Sequence, residues 1–181
     1  MRVAVTGGIG EGKSTVLERV AAAGLTSVSS DVVARSVMED PSTQAEVAAR
    51  LGYAVFPSRE ELRVRIGADP AARRTLNAIT HPRIVQALRR HPAQFVEVPL
   101  LLEACLYGMF DRVWIVTCGR AEQIRRLEAR YGSNARAEEL IATQIPTEAK
   151  LAFADEVIRT NRPVEIVSQV VAGLIAGLPG A

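Results

Sequence analysis

Lysine is almost absent from this sequence. Of the 22 basic residues only Lys13 and Lys150 are lysines. This biases the surface toward planar guanidinium groups that grip phosphate or carboxylate through paired hydrogen bonds, although a preference for GC-rich codons enriches arginine in the same way. Cysteine is equally scarce. Cys105 and Cys118 stand alone, with no C-x-x-C pair and no metal-ligand spacing, which argues against a disulfide framework or a zinc site and leaves two thiols expected to sit reduced in the core. No apolar run reaches the roughly 18 residues of a membrane span, and MRVAVTGG lacks a signal pattern, so the cytoplasm is the expected compartment. The net charge of +2 is too small to point to nucleic acid or a membrane as partner. Neither N-K-x-D nor a D-x-x-G after a strand occurs, so the guanine-reading signature of a GTPase switch is missing.

What is present suffices for one domain with a sizeable core, given 181 residues of which 48% are hydrophobic. Arg2 to Thr6 (RVAVT) predicts a buried strand ended by Gly7-Gly8. A helix follows from Gly12 to Ala23, with Val16, Leu17 and Val20 inward and Gly24 as its stop. Thr26 to Ser29 predicts a second strand, leading through Asp31 into a helix from Val32 to Met38. Ser42 to Arg90 is helical in composition, with breaks expected near Gly52, Pro57, Gly67 to Pro70, and Pro82. Strands are predicted at Gln94 to Val98 and Arg112 to Thr117, each followed by a helix, the second of which spans Ala121 to Arg130. A last strand, Glu156 to Arg159, precedes a helix from Pro163 to Leu178 with proline at its first position. Alternating strands and helices give an α/β fold, a parallel sheet with helices on both faces.

One motif carries chemistry by itself. Gly7-Gly8-Ile9-Gly10-Glu11-Gly12-Lys13-Ser14 fits G-x-x-x-x-G-K-[ST] between a predicted strand and helix. Such a loop wraps its backbone N–H groups around nucleotide phosphates at a helix N-terminus. The ATP-binding set is therefore Gly8, Gly10, Glu11, Gly12, Lys13, Ser14 and Thr15. Lys13 is expected on the β- and γ-phosphates, Ser14 on Mg²⁺, and Thr15 on the α-phosphate.

The acceptor side is less distinct. Asp31, just beyond the second strand, is placed to take the proton of an attacking hydroxyl or to cap a helix starting at Val32. Glu97, near the end of the third strand, is a candidate metal contact beside Ser14, or one half of an ion pair. Gln123, Arg126 and Arg130 share a helix face, where the two arginines either clamp a phosphoryl group or line a solvated surface. The dipeptide at His81-Pro82 recurs at His91-Pro92, and the pattern does not separate the two.

Several segments together resemble the dephospho-CoA kinase family: VTGGIGEGKST (5–15), SDVVAR (30–35), LNAITHPRI (76–84), VPLLLE (98–103), QIRRLEARYG (123–132) and QIPTEAKLAFADEVI (144–158). The resemblance implies an adenylate-kinase-like P-loop kinase. In that reading residues 1–181 form one domain: a core of about 1–40, 92–120 and 155–181, a helical CoA-side insertion of about 41–91, and a lid of about 121–154. It implies transfer of phosphate from ATP, with Mg²⁺, to the ribose 3′-hydroxyl of dephospho-CoA; a monomer or small homo-oligomer is expected. It further implies Asp31 as the acceptor-side acid and Lys13 as the phosphate-binding lysine. His81, Pro82, Arg83, Pro99, Leu100, Leu101 and Glu103 fall on the CoA side, with Arg126 and Arg130 in the lid. The sequence departs from the family pattern at Ser29, where a second Asp is usual, at Glu97, where Asp is common, at a shortened 56–62 loop, and at Thr160 in place of Asn.

Overall fold

Every residue of Val3–Thr6 is buried, which places this strand, β1, inside a sheet rather than at its edge. The computed structural model of the chain describes residues 1–179. It contains four further strands: β2 (Ser27–Ser29), β3 (Phe95–Glu97), β4 (Arg112–Thr117) and β5 (Glu156–Arg159). Their order is β2-β3-β1-β4-β5, and all neighbours are parallel. The chain leaves β1 for β2 and β3 on one side and then crosses to β4 on the other. That reversal puts the end of β1 at the topological switch point, where open parallel sheets bind ligands.

The chain divides into two compact units, Met1–Ser29 with the chain from Pro92 onward, and Ser30–His91. In the first unit, α1 (Lys13–Ala22) and α9 (Val164–Ala176) pack Val16, Val20, Val167, Val171 and Ile175 against Val3, Val5, Phe95, Trp114, Val116 and Ile158 of the sheet. Phe95 and Trp114 meet edge to face with centroids 5.1 Å apart, an arrangement that adds about 0.5–1.5 kcal/mol beyond burial. After β4 come α6 (Arg120–Tyr131), α7 (Asn134–Ala142) and the single turn α8 (Thr147–Lys150). Leu127, Ala137 and Ile141 join α6 to α7, and Ile9 of the glycine loop packs on them.

The second unit is helical throughout: α2 (Ser30–Glu39), α3 (Pro41–Leu51), α4 (Arg59–Ala68) and α5 (Pro70–Arg90). Val47, Leu62, Leu76 and Ile79 form its core. Its helices are delimited by side chains that satisfy the first free N–H groups. Asp40 accepts from Thr43 N, Ser58 and Glu61 form a reciprocal capping box, and Asp69 accepts from Ala71 N and Ala72 N.

The strands fall where the sequence predicts them, but four local expectations are corrected. Pro82 does not break α5, which runs through it; burial of Leu76, Ile79 and Leu88 on either side outweighs the roughly 3 kcal/mol cost of an interior proline. The helix after β3 does not form. Residues 99–105 run through isolated turns to a 3-10 turn at Tyr107–Met109, and Cys105 at φ 54° takes a left-handed conformation that ends helical propagation. Cys105 is exposed and only Cys118 is buried. Pro163 precedes α9 as its N-cap instead of opening it. Among the described residues, no helix is long and apolar enough to cross a membrane.

Candidate active site

The loop Gly7–Ser14 runs from the end of β1 to the start of α1. Gly12 caps α1 with φ 91° and offers no side-chain acceptor, so the helix's leading N–H groups remain for an anion. Two glycines are sterically required. A Cβ on Gly7 would lie 2.3 Å from Val116 O, and one on Gly12 would lie 2.8 Å from Thr160 Oγ1. The Lys13 side chain is buried and folds back over the loop, with Nζ donating to Gly7 O at 3.1 Å and Gly8 O at 3.0 Å. An incoming phosphate would find the ammonium already held above the loop.

The loop is gripped from outside along most of its length. Ile9 O accepts from Gln123 Nε2 at 2.9 Å, and Ile9 N donates to Gln144 Oε1 at 3.0 Å. Glu11 O accepts from Thr160 Oγ1 at 2.7 Å. Arg126 of α6 donates to Gly10 O at 3.4 Å, Thr160 Oγ1 at 3.1 Å and Thr160 O at 2.6 Å. Its Nε binds Glu122 Oε1 at 2.8 Å. Hydrogen bonds from Arg125 and then Arg126 hold the Glu122 carboxyl down at about 2.

Glu11 was expected among the nucleotide contacts, and its carboxylate is only 1% exposed. Oε1 accepts from Thr117 Oγ1 at 2.9 Å, while Oε2 accepts from Thr147 Oγ1 at 2.6 Å and from Gly8 N. The side chain belongs to the loop's scaffold, so contact with a nucleotide is left to its backbone.

A cavity of about 410 Å³ opens beside Gly8, lined in part by Arg120, Gln123, Gln144, Thr147 and Glu148. Further along α8, Lys150 Nζ is fully enclosed and pairs with Glu103 Oε1 at 2.9 Å, with Pro99 O at 3.4 Å. Glu103 Oε1 also accepts from Ile145 N at 2.9 Å. Burial pushes the Glu103 carboxyl up, but the Lys150 and backbone hydrogen bonds outweigh it and leave the group below its ordinary value. Burial pushes the Cys118 thiol up to about 11, which disfavours the reactive thiolate. Leu101 is buried, and Leu100 is exposed.

The two candidate arginines differ. Arg126 grips the loop, whereas Arg130 is exposed with its guanidinium over the Tyr131 ring, 5.4 Å from the centroid. Glu97 ends β3 level with Val5 of β1 and Ser29 of β2, on the strand beside the one that delivers the loop. Among the described residues no three His, Cys, Asp or Glu gather as a metal cage. A hydroxyl at Ser14 and a carboxylate at Glu97 nevertheless fit Mg²⁺, which takes one or two protein oxygens along with phosphates and water.

In the helical unit, Asp31 is the second residue of α2, which starts at Ser30. It therefore lies inside the first turn and does not cap the helix, which begins two residues earlier than expected. His81, Pro82 and Arg83 lie on α5, and Arg83 Nη2 pairs with Glu46 Oε2 at 2.6 Å.

A five-stranded parallel sheet with this loop at its switch point, gripped by Arg126 and holding Lys13 above its arc, defines a P-loop kinase. The family model described as Dephospho-CoA kinase matches residues 1–165. The chain is 39% identical over 182 residues to the dephospho-CoA kinase of Sodalis glossinidius (strain morsitans), covering 93% of this chain and 88% of that one. The solved structure of TT1252 from Thermus thermophilus matches with a TM-score of 0.79 at 26% identity, over 99% of this chain and 98% of that one. Dephospho-CoA kinase from Campylobacter jejuni matches in fold with a TM-score of 0.70 at 23% identity, over 97% and 95% of the two chains. The chain belongs to the dephospho-CoA kinase family.

The sequence reading missed Thr117, Thr147 and Thr160 as partners of the loop. Gln144, Thr147 and Lys150 carried a signal, since all three sit in the Q-I-P-T-E-A-K segment, whereas Thr117 lies outside the segments that carry the resemblance.

Proposed function

We propose that this chain transfers the γ-phosphoryl group of ATP to the ribose 3′-hydroxyl of dephospho-CoA, giving coenzyme A and ADP. One observation carries this reading beyond a generic P-loop kinase. The segments that distinguish the family converge on the loop and on each other, through Gln144 to Ile9, Thr147 to Glu11, and Lys150 to Glu103 and Pro99.

In this mechanism the loop amides and Lys13 cradle the ATP phosphates. Ser14 and Glu97 would hold Mg²⁺, which would supply charge neutralisation on the phosphates. Arg126 and Arg130, in a lid of about 121–154, stabilise the transferring group. Asp31, which follows the carboxyl end of β2, accepts the proton of the attacking hydroxyl. His81, Pro82 and Arg83 of the helical unit, and Pro99, Leu100, Leu101 and Glu103 of the sheet unit, are the residues assigned to CoA recognition. ATP and dephospho-CoA are the partners, in the cytoplasm, for a monomer or small homo-oligomer.

The test is a coupled turnover assay with ATP and Mg²⁺ that compares dephospho-CoA with shikimate and nucleoside monophosphates. Turnover confined to dephospho-CoA is expected. Preferential use of another acceptor would overturn the assignment.

A further inference from the structure

The phosphate-loop motif leaves position 11 open to any residue, yet here it holds a carboxylate that is 1% exposed. A buried carboxylate is costly unless its lone pairs are satisfied, and a negative charge beside a site for a polyanion opposes binding. Glu11 therefore needs a purpose other than wrapping phosphate. Its partners come from three places: Gly8 N from the loop itself, Thr117 from the end of β4, and Thr147 from the first turn of α8. Three residues after Thr147, on the same turn, Lys150 holds Glu103 and Pro99. The backbone N–H of Ile145, just before that turn, is held by the same Glu103. One short helix thus connects the loop to the Pro99–Glu103 segment through polar contacts.

We propose that Glu11 is a positioning residue that couples the phosphate loop, through Thr147 and α8, to the Pro99–Glu103 segment, so that nucleotide on the loop tightens the segment facing the acceptor. This rests on the reading of the loop as the ATP site and of Pro99–Glu103 as acceptor-side. Thr147 does not touch the nucleotide in this scheme; it transmits the position of Glu11. A valine in its place keeps the shape and removes the hydroxyl that donates to Glu11 Oε2, while Thr117 still donates to Oε1; a serine keeps the hydroxyl.

The experiment is hydrogen exchange on the wild type, Thr147→Val, Thr147→Ser and Glu11→Gln, each with and without saturating Mg²⁺ and a non-hydrolysable ATP analogue. In the wild type the analogue should slow exchange at Ile145 and Lys150 at least fivefold. Thr147→Val should still bind the analogue, with its dissociation constant raised less than tenfold, but lose that protection. It should also raise KM for dephospho-CoA more than it lowers kcat, and Thr147→Ser should restore both. Glu11→Gln, which keeps one carbonyl acceptor, should retain part of the protection. Full protection in Thr147→Val, or a Thr147→Ser variant as impaired as the valine, would overturn this inference alone. A wild type that binds no analogue would overturn the ATP reading as well.

Discussion

The ammonium of Lys150 has no solvent exposure and lies 2.9 Å from Oε1 of Glu103, whose side chain is about one-fifth exposed. Removing one partner of such a pair leaves the other charge uncompensated, at a cost of about 3–5 kcal/mol. Lys150→Met should therefore lower the melting temperature markedly. The pH dependence separates this from simple loss of packing. In the wild type the Glu103 carboxyl is held below its ordinary value of 4.5, so its contribution is complete above that pH and fades as pH falls through the lowered folded value. In Lys150→Met only the backbone hydrogen bonds still oppose burial, so the folded value rises relative to the wild type and the variant should lose less stability than the wild type as pH drops through the carboxylate range. Melting curves of both proteins between neutrality and acid should converge. A gap that stayed constant with pH would show that Lys150 acts by packing alone.

Lys13→Ala should cut kcat by about 10²–10³-fold, the loss typical of removing one preorganised charge-stabilising group. It should also destabilise the unliganded protein modestly, by about 1–3 kcal/mol, because Gly7 O and Gly8 O lose their donor. Steady-state kinetics and thermal melting on one preparation check both, and near-normal kcat would remove the loop lysine from the mechanism.

Arg126 and Arg130 should behave differently. Arg126→Ala releases Thr160 and Gly10 and should lower kcat on the order of 10²-fold, through misplacement of the loop together with loss of its charge at the transferring group. Arg126→Lys should rescue little, because a single ammonium cannot reproduce the guanidinium fork. Arg130→Ala touches no loop atom; it should leave the melting temperature nearly unchanged while lowering kcat more than ATP affinity. If kcat for Arg130→Ala holds and only KM for ATP rises, Arg130 serves binding and not transfer.

Asp31→Asn should lower kcat by about 10²–10⁴-fold, the worth of a positioned general base, with ATP affinity nearly intact. Because Asp31 sits in the first turn of α2 and not at its cap, asparagine forfeits the favourable charge–dipole contact there, about 0.3–1 kcal/mol. A melting shift of a few degrees is expected. A large melting shift with unchanged kcat of the folded fraction would make Asp31 structural and move the chemistry to another carboxylate.

The strands and the phosphate loop were legible because each is written in adjacent residues. Arg112–Thr117 and Glu156–Arg159 match the sequence reading residue for residue, since an apolar β-branched run bounded by turn residues has few other uses. The scaffold around Glu11 was not legible. Its threonine partners at 117, 147 and 160 are spread along the chain, and a lone threonine carries no spacing that marks it as a donor to a distant carboxylate. Pro82 misled for a related reason. The cost of a proline is local and visible in sequence, while the burial of Leu76 and Leu88 that offsets it depends on packing.

The strand order also dictates when the loop can form. β1 and β2 never pair with each other; both wait for β3, with Val3 and Ser27 each opposite Phe95. A chain emerging from the ribosome therefore has no ladder to close until residue 95 is available, and β1 gains its other neighbour only with Arg112. The helices of Ser30–His91 face no such wait, since they form a compact unit whose core, Val47, Leu62, Leu76 and Ile79, is complete by residue 91. A nascent chain arrested just after His91 should show helical signal but no strand protection at Val3–Thr6, and the glycine loop should acquire its shape only in chains extended past β4.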